Sequence, residues 1–139
     1  MAENDASEPR IFTLDEANSL LPRLRDILAE LRAARERLLE AQSQLAQRIH
    51  GGARSNGHVS PGGDVDRLNA ASSEAQAGIG RAVGAIAELG CELKDPERGM
   101  VDFRTMRDGR VVYLCWLMHE PTVEWWHELD GGYRGRQPL

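Results

Sequence analysis

Residues 100–117 read MVDFRTMRDGRVVYLCWL, two runs of apolar, β-branched and aromatic residues around Asp108 and Gly109. Asp-Gly between two such runs is a strong signal for a β-hairpin with a tight turn. The runs themselves have the composition that fits a pleated, half-buried strand. This stretch therefore predicts an antiparallel pair of strands, and the fold of the C-terminal part of the chain follows from it.

The register of that hairpin predicts which side chains share a face. Pairing of Arg107 with Arg110 places alternate residues of both strands on the same side of the sheet. A third strand, Thr122 to His127, would complete a meander after a four-residue turn that pairs Leu114 with Trp125. One face is then almost wholly apolar and should pack on helices. Its members are Val101, Phe103, Val112, Leu114, Trp116, Val123, Trp125 and His127.

The opposite face of the predicted meander collects polar and reactive side chains. A shift of one residue in the register would move each side chain of a strand to the other face, so the pattern depends on the pairing. The expected members are Asp102, Cys115 and Glu124 in one row and Arg104, Tyr113 and Trp126 in the next.

Carboxylate, thiolate and imidazole groups in the C-terminal part are candidate ligands for a transition metal, because zinc and similar ions bind these three types. The alternative is a structural polar face in which Arg104 forms salt bridges with Asp102 and Glu124. No CxxC, HxxxH or HExxH spacing favours a metal. The candidate metal ligands are Asp102, Cys115, Glu124 and His127.

A small anionic ligand is a second candidate for the same part of the chain. Its predicted binding residues are Trp126, His127, Arg104 and Arg136. An enzyme that uses His127 as a general base ranks below both binding hypotheses. The sequence shows no Ser/His/Asp arrangement, P-loop or GxGxxG motif, and no nucleophile is evident. The sequence therefore favours a protein without catalytic activity.

Residues 13–90 have the pattern of a helical hairpin. Thr13 and Glu16 form a capping-box pattern, and Pro22 should kink or restart the first helix. Residues 51–63 form a glycine-rich loop, after which Asp64 is a candidate N-cap for the second helix. Apolar residues recur along the first helix at spacings of three and four, a heptad-like seam that would form a coiled coil. The seam comprises Ala17, Leu21, Leu24, Leu28, Leu31, Leu38, Leu45 and Ile49.

This seam has two interpretations, an intramolecular hairpin core or a homodimer through the first helix. Glycines within the second helix each cost about 1 kcal/mol relative to alanine. They would allow close approach of the two helix backbones in exchange. These glycines are Gly78, Gly80 and Gly84.

Composition excludes several classes of protein. The net charge is −5, and the basic residues alternate with acidic ones rather than forming a stripe, which argues against nucleic acid as the partner. No apolar run reaches 18 residues, and residues 1–10 lack the apolar segment of a signal peptide. With two cysteines that are expected to be reduced, the chain is predicted to be cytoplasmic, with no membrane partner.

The chain resembles the small bacterial proteins catalogued as domain of unknown function twenty-two-oh-three. The resemblance extends over nearly the whole chain and implies no activity, because the family has none assigned. It implies that the family signature includes Asp102, Cys115, Trp116, His127, Gly135 and Arg136, whereas His119 matches no signature position. It rests on residues 12–18 (FTLDEAN), 20–22 (LLP), 99–103 (GMVDF), 112–116 (VYLCW), 126–127 (WH) and 135–139 (GRQPL).

The predicted fold class is α+β, a long antiparallel helical hairpin with a small C-terminal antiparallel meander packed on it. Residues 1–12 are a flexible N-terminus, 13–90 the hairpin and 91–139 the aromatic meander and tail, in one domain overall. The predicted function is binding of a small ligand or transition metal in the C-terminal part. The alternative is a non-catalytic homodimeric interaction module.

Overall fold

A computed structural model describes residues 8–52 and 61–139, with side chains at 51, 52, 61 and 62 excepted. Most of the predicted flexible N-terminus and glycine-rich loop lies outside the described residues. The described helices and strands are α1 (Leu14–Ser19), α2 (Leu21–Gly52), α3 (Pro61–Glu88), β1 (Glu92–Asp95), β2 (Met100–Arg107), β3 (Arg110–Leu117), β4 (Trp125–His127) and β5 (Gln137–Pro138). The predicted α+β fold class is confirmed. None of the helices described is long and apolar enough to cross a membrane.

The start of the helical part follows the local sequence. The amide of Glu16 donates to the Thr13 hydroxyl at 3.0 Å, and the Thr13 amide donates to Glu16 Oε1 at 2.9 Å. This is the predicted capping box. The helix α1 ends at Ser19 and α2 begins at Leu21, with Pro22 in its first turn, where its missing N–H has no intrahelical partner to lose. The predicted restart at Pro22 is confirmed.

The chain divides into two compact units, of which residues 29–82 form a helical unit. Within it α2 and α3 pack antiparallel, with Arg48 paired to Asp64 and Ala34 lying beside Gly78. The prediction that Asp64 caps α3 is wrong, because the helix already begins at Pro61. Asp64 lies in the first helical turn, where the hydrogen bond from Arg48 is the main cause of its lowered pKa.

Among the described residues, the other compact unit contains residues 8–28 and 83–139 and holds the sheet. Its strand order is β1-β2-β3-β4-β5, antiparallel throughout, so β1 and β5 extend the predicted three-stranded meander. The hairpin register of Arg107 opposite Arg110 is confirmed. Asp108 and Gly109 both have positive φ, 52° and 79°, as a type I′ turn requires.

The apolar face of this sheet is covered by the N-terminal segment and the first turns of α2. Phe12 and Phe103 make an edge-to-face contact with ring centroids 5.3 Å apart, and the Phe12 amide donates to Arg104 O at 2.7 Å. The Arg25 guanidinium lies 5.4 Å from the ring centroid of Trp116. These contacts anchor residues before α1 to the middle of the sheet.

The predicted register of the last strand is wrong by one residue. Leu114 lies opposite Trp126 and Tyr113 opposite His127, whereas the sequence predicted Leu114 opposite Trp125. The connection after β3 is longer than four residues because Val123 does not pair with β3, and its amide donates to Asn18 Oδ1 instead. Since strand side chains alternate, Trp126 joins the apolar face and His127 the polar one.

The first half of the heptad-like seam is buried in the core of the single chain. Leu24 and Leu31 are 0% and 1% exposed. Leu39 and Ile49, farther along α2, are 63% and 73% exposed. A homodimer through α2 stays a prediction, and these exposed side chains rather than Leu24 and Leu31 are the residues available for it.

The three helical glycines of α3 differ in their surroundings, which corrects part of the prediction. A Cβ at Gly78 would meet the Ala34 Cβ at 3.3 Å, whereas one at Gly80 or Gly84 would meet no atom within 4 Å among the described residues. Close approach of the helix backbones therefore requires glycine at Gly78 and not at the other two positions.

We predict that Gly80→Ala raises the free energy of unfolding by about 0.5 to 1 kcal/mol, because alanine loses less conformational entropy in a helix. The matched change Gly78→Ala should gain clearly less or destabilise, since Ala34 must shift. Urea denaturation of both variants measures the difference. Equal stabilisation at both positions would contradict a close helix contact at Gly78.

Candidate functional site

Three neighbouring strands bring Asp102, Cys115 and His127 together on the polar face. Asp102 of β2 lies opposite Cys115 of β3. His127 of β4 lies opposite Tyr113, which precedes Cys115 by two residues on the same face of β3. The three side chains are 0%, 0% and 1% exposed. A carboxylate oxygen, the thiol sulfur and a ring nitrogen lie within 4.8 Å of one another. We call these three residues the polar triad.

Both ring nitrogens of His127 have protein partners. Nε2 lies 2.9 Å from Asp102 Oδ2, and Nδ1 lies 2.7 Å from the carbonyl oxygen of Glu128. The Gly132 amide donates to Nδ1 at 3.2 Å, a bond that needs the Nδ1 lone pair and leaves the ring proton on Nε2. The shorter contact, with the carbonyl, is a hydrogen bond only when Nδ1 carries a proton, because a carbonyl oxygen only accepts. The two contacts at Nδ1 therefore belong to different tautomers of the ring.

Asp102 is a buried carboxylate with incomplete hydrogen bonding. Its Oδ1 atom has no hydrogen-bond partner among the described residues. Burial raises the pKa of this carboxyl group, and the nearby His127, Cys115 and Lys94 only partly oppose that rise. The Lys94 ammonium lies 3.8 Å from Oδ2 at the outer edge of the triad.

The thiol of Cys115 is not activated for nucleophilic attack. Burial, followed by the charge of Asp102, raises its pKa to about 12. Cys91 is also buried, and burial raises its pKa to about 12 as well. A reactive cysteine needs a lowered pKa and access to solvent, and neither thiol has them.

Residues 128–139 cover the polar face beside the triad. Arg136 anchors this tail, because its Nη2 atom donates to Glu120 Oε1 at 2.8 Å and to Cys115 O at 3.3 Å. The Arg136 and Glu120 side chains are 10% and 11% exposed. The guanidinium also lies 5.0 Å from the ring centroid of Trp125, so the pair is both desolvated and packed.

A second polar network borders the triad on the β1 side. Glu92 accepts hydrogen bonds from the Tyr113 hydroxyl and from Arg104 Nε, each at 2.9 Å. Burial alone would raise the pKa of Glu92, but Tyr113 and Arg104 outweigh it and lower the pKa. The prediction that Arg104 forms salt bridges with Asp102 and Glu124 is therefore wrong, because Arg104 pairs with Glu92.

The structure brings together only some of the predicted site residues. Glu124 is exposed and lies before β4, so it does not join the triad. Trp126 lies on the opposite face with Arg107, 4.5 Å from its ring centroid. Arg136 borders the triad through the Cys115 carbonyl, and Arg104 contacts the Tyr113 ring from 5.2 Å.

Two residues of this region were not among the site residues predicted from the sequence. Glu120 forms the buried pair with Arg136 and also accepts from the Leu117 amide at 2.9 Å. Lys94 lies against Asp102 and the Tyr113 ring. Being the single lysine among 17 basic residues, it carried a weak signal. Nothing in the sequence marked Glu120 as a site residue beyond its position before Pro121.

The fold and the triad define an α+β protein whose antiparallel sheet buries a carboxylate, a thiol and an imidazole side by side. A family model described as Uncharacterized conserved protein (DUF2203) matches residues 10–139. The chain belongs to this family, as its sequence resemblance predicted. No curated protein and no solved structure matches the chain.

We predict that Glu120→Ala lowers the free energy of unfolding by about 3 kcal/mol, because it leaves the buried Arg136 guanidinium without its partner. Glu128→Ala is the matched control, since it removes an exposed ion pair with Arg110. It should leave the stability nearly unchanged. Denaturant melts of both variants provide the measurement, and equal losses would argue against an anchoring role of Arg136.

Proposed function

We propose that this protein binds a transition metal ion, with zinc as the reference ion, through Asp102, Cys115 and His127. The single observation that carries the proposal is the contact between His127 Nε2 and Asp102 Oδ2 at 2.9 Å. When its proton lies on Nδ1, His127 presents a lone pair on Nε2. Nε2 and Oδ2 are then both acceptors, and at this distance they repel each other unless a proton or a metal cation lies between them.

The arrangement of the other groups supports a metal rather than a proton alone. A shared proton would satisfy Nε2 and Oδ2, but Asp102 Oδ1 would still lack a partner. The Cys115 sulfur, within 4.8 Å of the other two ligand atoms, would also contribute no strong hydrogen bond. A zinc ion with bonds of about 2.0–2.3 Å could use the carboxylate, thiolate and imidazole together.

The surroundings of His127 agree with a ligating role. Metal-bound histidines usually donate their second ring N–H to a carbonyl or a carboxylate, which fixes the ring orientation. The Nδ1 contact with Glu128 O at 2.7 Å has this form. The tail therefore contributes to the proposed site through its backbone, because Glu128, directly after β4, supplies this carbonyl oxygen.

The Lys94 side chain opposes a cation at the triad. Its ammonium lies 3.8 Å from Asp102 Oδ2, and a metal ion there would repel it. Its side chain is 35% exposed and lies on the edge strand β1, so it has room to turn toward solvent. Metal binding is therefore expected to release Lys94 from Asp102.

A role in catalysis through His127 is the weaker hypothesis. A general base must reach the proton that it removes from a substrate. His127 is 1% exposed, and both of its ring nitrogens contact protein groups. The full burial of the three ligands favours a site that stabilises the sheet over one that turns over a substrate.

We predict that protein purified without a histidine tag binds about one zinc or cobalt ion per chain, with a cobalt–thiolate charge-transfer band in the near ultraviolet. Cys115→Ser should abolish the band, and Asp102→Asn should weaken binding while keeping the shape of the side chain. Cys91→Ser is the matched control, because it replaces a buried thiol away from the triad and should keep the band. Elemental analysis and absorption titration give both results.

A well-folded wild-type protein without bound metal, and without a cobalt band on titration, would contradict this proposal. An unchanged band in Cys115→Ser would do the same. Circular dichroism of every variant establishes that loss of the band does not arise from unfolding.

We also predict that zinc affinity increases at least about tenfold per pH unit between about pH 6 and pH 8. The Cys115 thiol has a pKa of about 12 without metal. It is therefore protonated over this range, and zinc must displace that proton together with any proton held between His127 Nε2 and Asp102 Oδ2. Competition with a chromophoric chelator at several pH values measures the slope. In Cys115→Ser the slope should fall by about tenfold per pH unit, and a flat profile in the wild type would exclude thiolate ligation.

A further inference from the structure

A recess on the other side of the sheet unit is separate from the polar triad. Residues of the segment before α1, of the end of β2 and of the chain end enclose about 490 Å³. This volume falls within the range of small-molecule sites in proteins. We call it the Phe12 recess, and its defining residues are Ile11, Phe12, Leu14, Met106, Arg107 and Leu139.

The rim of the Phe12 recess concentrates exposed apolar side chains. Ile11, Leu14 and Leu139 are 43%, 41% and 46% exposed. Single exposed apolar residues are ordinary, but several around one concave recess indicate a binding surface. The floor is Phe12, which is 1% exposed. An aliphatic chain in this recess would remove the rim residues from water.

Arg107 supplies the one charged side chain among the described residues that line the recess. Its Nε atom is buried and has no hydrogen-bond partner in the described part of the chain. No carboxylate within residues 8–52 and 61–139 forms an ion pair with it, whereas the neighbouring Arg110 is paired with Glu128. The Trp126 ring, 4.5 Å away, supports the guanidinium from one side.

The remaining polar side chains of the recess are already used. The Thr105 hydroxyl donates to Phe12 O at 2.7 Å, and the Thr13 hydroxyl accepts from the Glu16 amide. A bound molecule would therefore meet apolar walls and a single guanidinium. A dianion such as phosphate would be poorly neutralised there, while a carboxylate matches the planar fork of one arginine.

From these observations we infer that the Phe12 recess binds a small monocarboxylic acid with an aliphatic tail. The carboxylate accepts hydrogen bonds from the Arg107 guanidinium. The tail packs between Ile11, Leu14 and Leu139 against Phe12. This site is independent of the metal proposed at the polar triad, because Arg107 and Asp102 lie on opposite faces of β2.

Hexanoate is the probe for this inference, with acetate and hexan-1-ol as ligand controls. Isothermal titration calorimetry should detect hexanoate binding to the wild-type protein, with acetate and hexan-1-ol each at least about tenfold weaker. Acetate lacks the tail, and hexan-1-ol lacks the charge. Methyl spectra by nuclear magnetic resonance should show shifts at Ile11, Leu14 and Leu139.

Two variants with one control separate the parts of the site. Arg107→Gln should weaken hexanoate about tenfold or more and leave hexan-1-ol unchanged. Arg110→Gln, the matched control on the same hairpin, should bind hexanoate as the wild type does. Leu14→Glu places a carboxylate at an exposed rim position in the first turn of α1 and should abolish hexanoate binding without unfolding the protein.

Three results would overturn the inference. The first is no hexanoate binding to the folded wild type, and the second is equal binding to wild type and Arg107→Gln. The third is a dimer that Leu14→Glu dissociates while hexanoate has no effect, which would assign the recess to a second copy of the chain.

Discussion

The register between β3 and β4 is the constraint on which the C-terminal part of this protein depends. The pairing of β3 with β4 does not extend to Leu117 and Val123. The Leu117 amide donates to the Glu120 side chain instead, and the Val123 amide donates to Asn18. Pairing resumes only at Trp125, opposite Cys115. Because alternate residues of a strand point to opposite faces, this offset places His127 beside Asp102 and Trp126 beside Arg107.

The two faces of the sheet consequently have different chemistry. One holds the polar triad beneath the tail, and the other holds apolar side chains beneath the segment before α1. Burial of polar groups is costly unless they have partners, so unsatisfied buried atoms are uncommon. In the described residues such atoms belong to Asp102, Arg107 and Arg136. The first two lie in the two regions for which binding is proposed.

Arginine has a structural role throughout this part of the chain. A guanidinium can stack on an aromatic ring and still form directed hydrogen bonds, which an ammonium group does less well. Arg136 does both, since it lies over Trp125 and donates to Glu120. Each tryptophan has an arginine near its ring, in the pairs Trp116 with Arg25, Trp125 with Arg136 and Trp126 with Arg107.

The sequence by itself determined the features that depend on neighbouring residues. The capping box at Thr13, the restart of the helix at Pro22 and the tight turn at Asp108-Gly109 involve contacts within a few positions, so local chemistry specifies them. The same holds for the register of β2 on β3, because a two-residue turn leaves little freedom in the pairing. These elements were sufficient to predict the α+β class.

Tertiary structure decided what depends on residues distant in the chain. Asn18 binds the Val123 amide across 105 positions, and no local pattern predicts such a contact. That contact and Glu120 lengthen the connection before β4, and the resulting shift exchanges Glu124 and Trp126 for Trp125 and His127 on the face of Asp102 and Cys115. Burial likewise raises the pKa of Asp102 and Cys115, and this burial exists only in the folded chain. The residue types of the candidate site could be predicted from sequence, whereas their juxtaposition is a property of the folded chain.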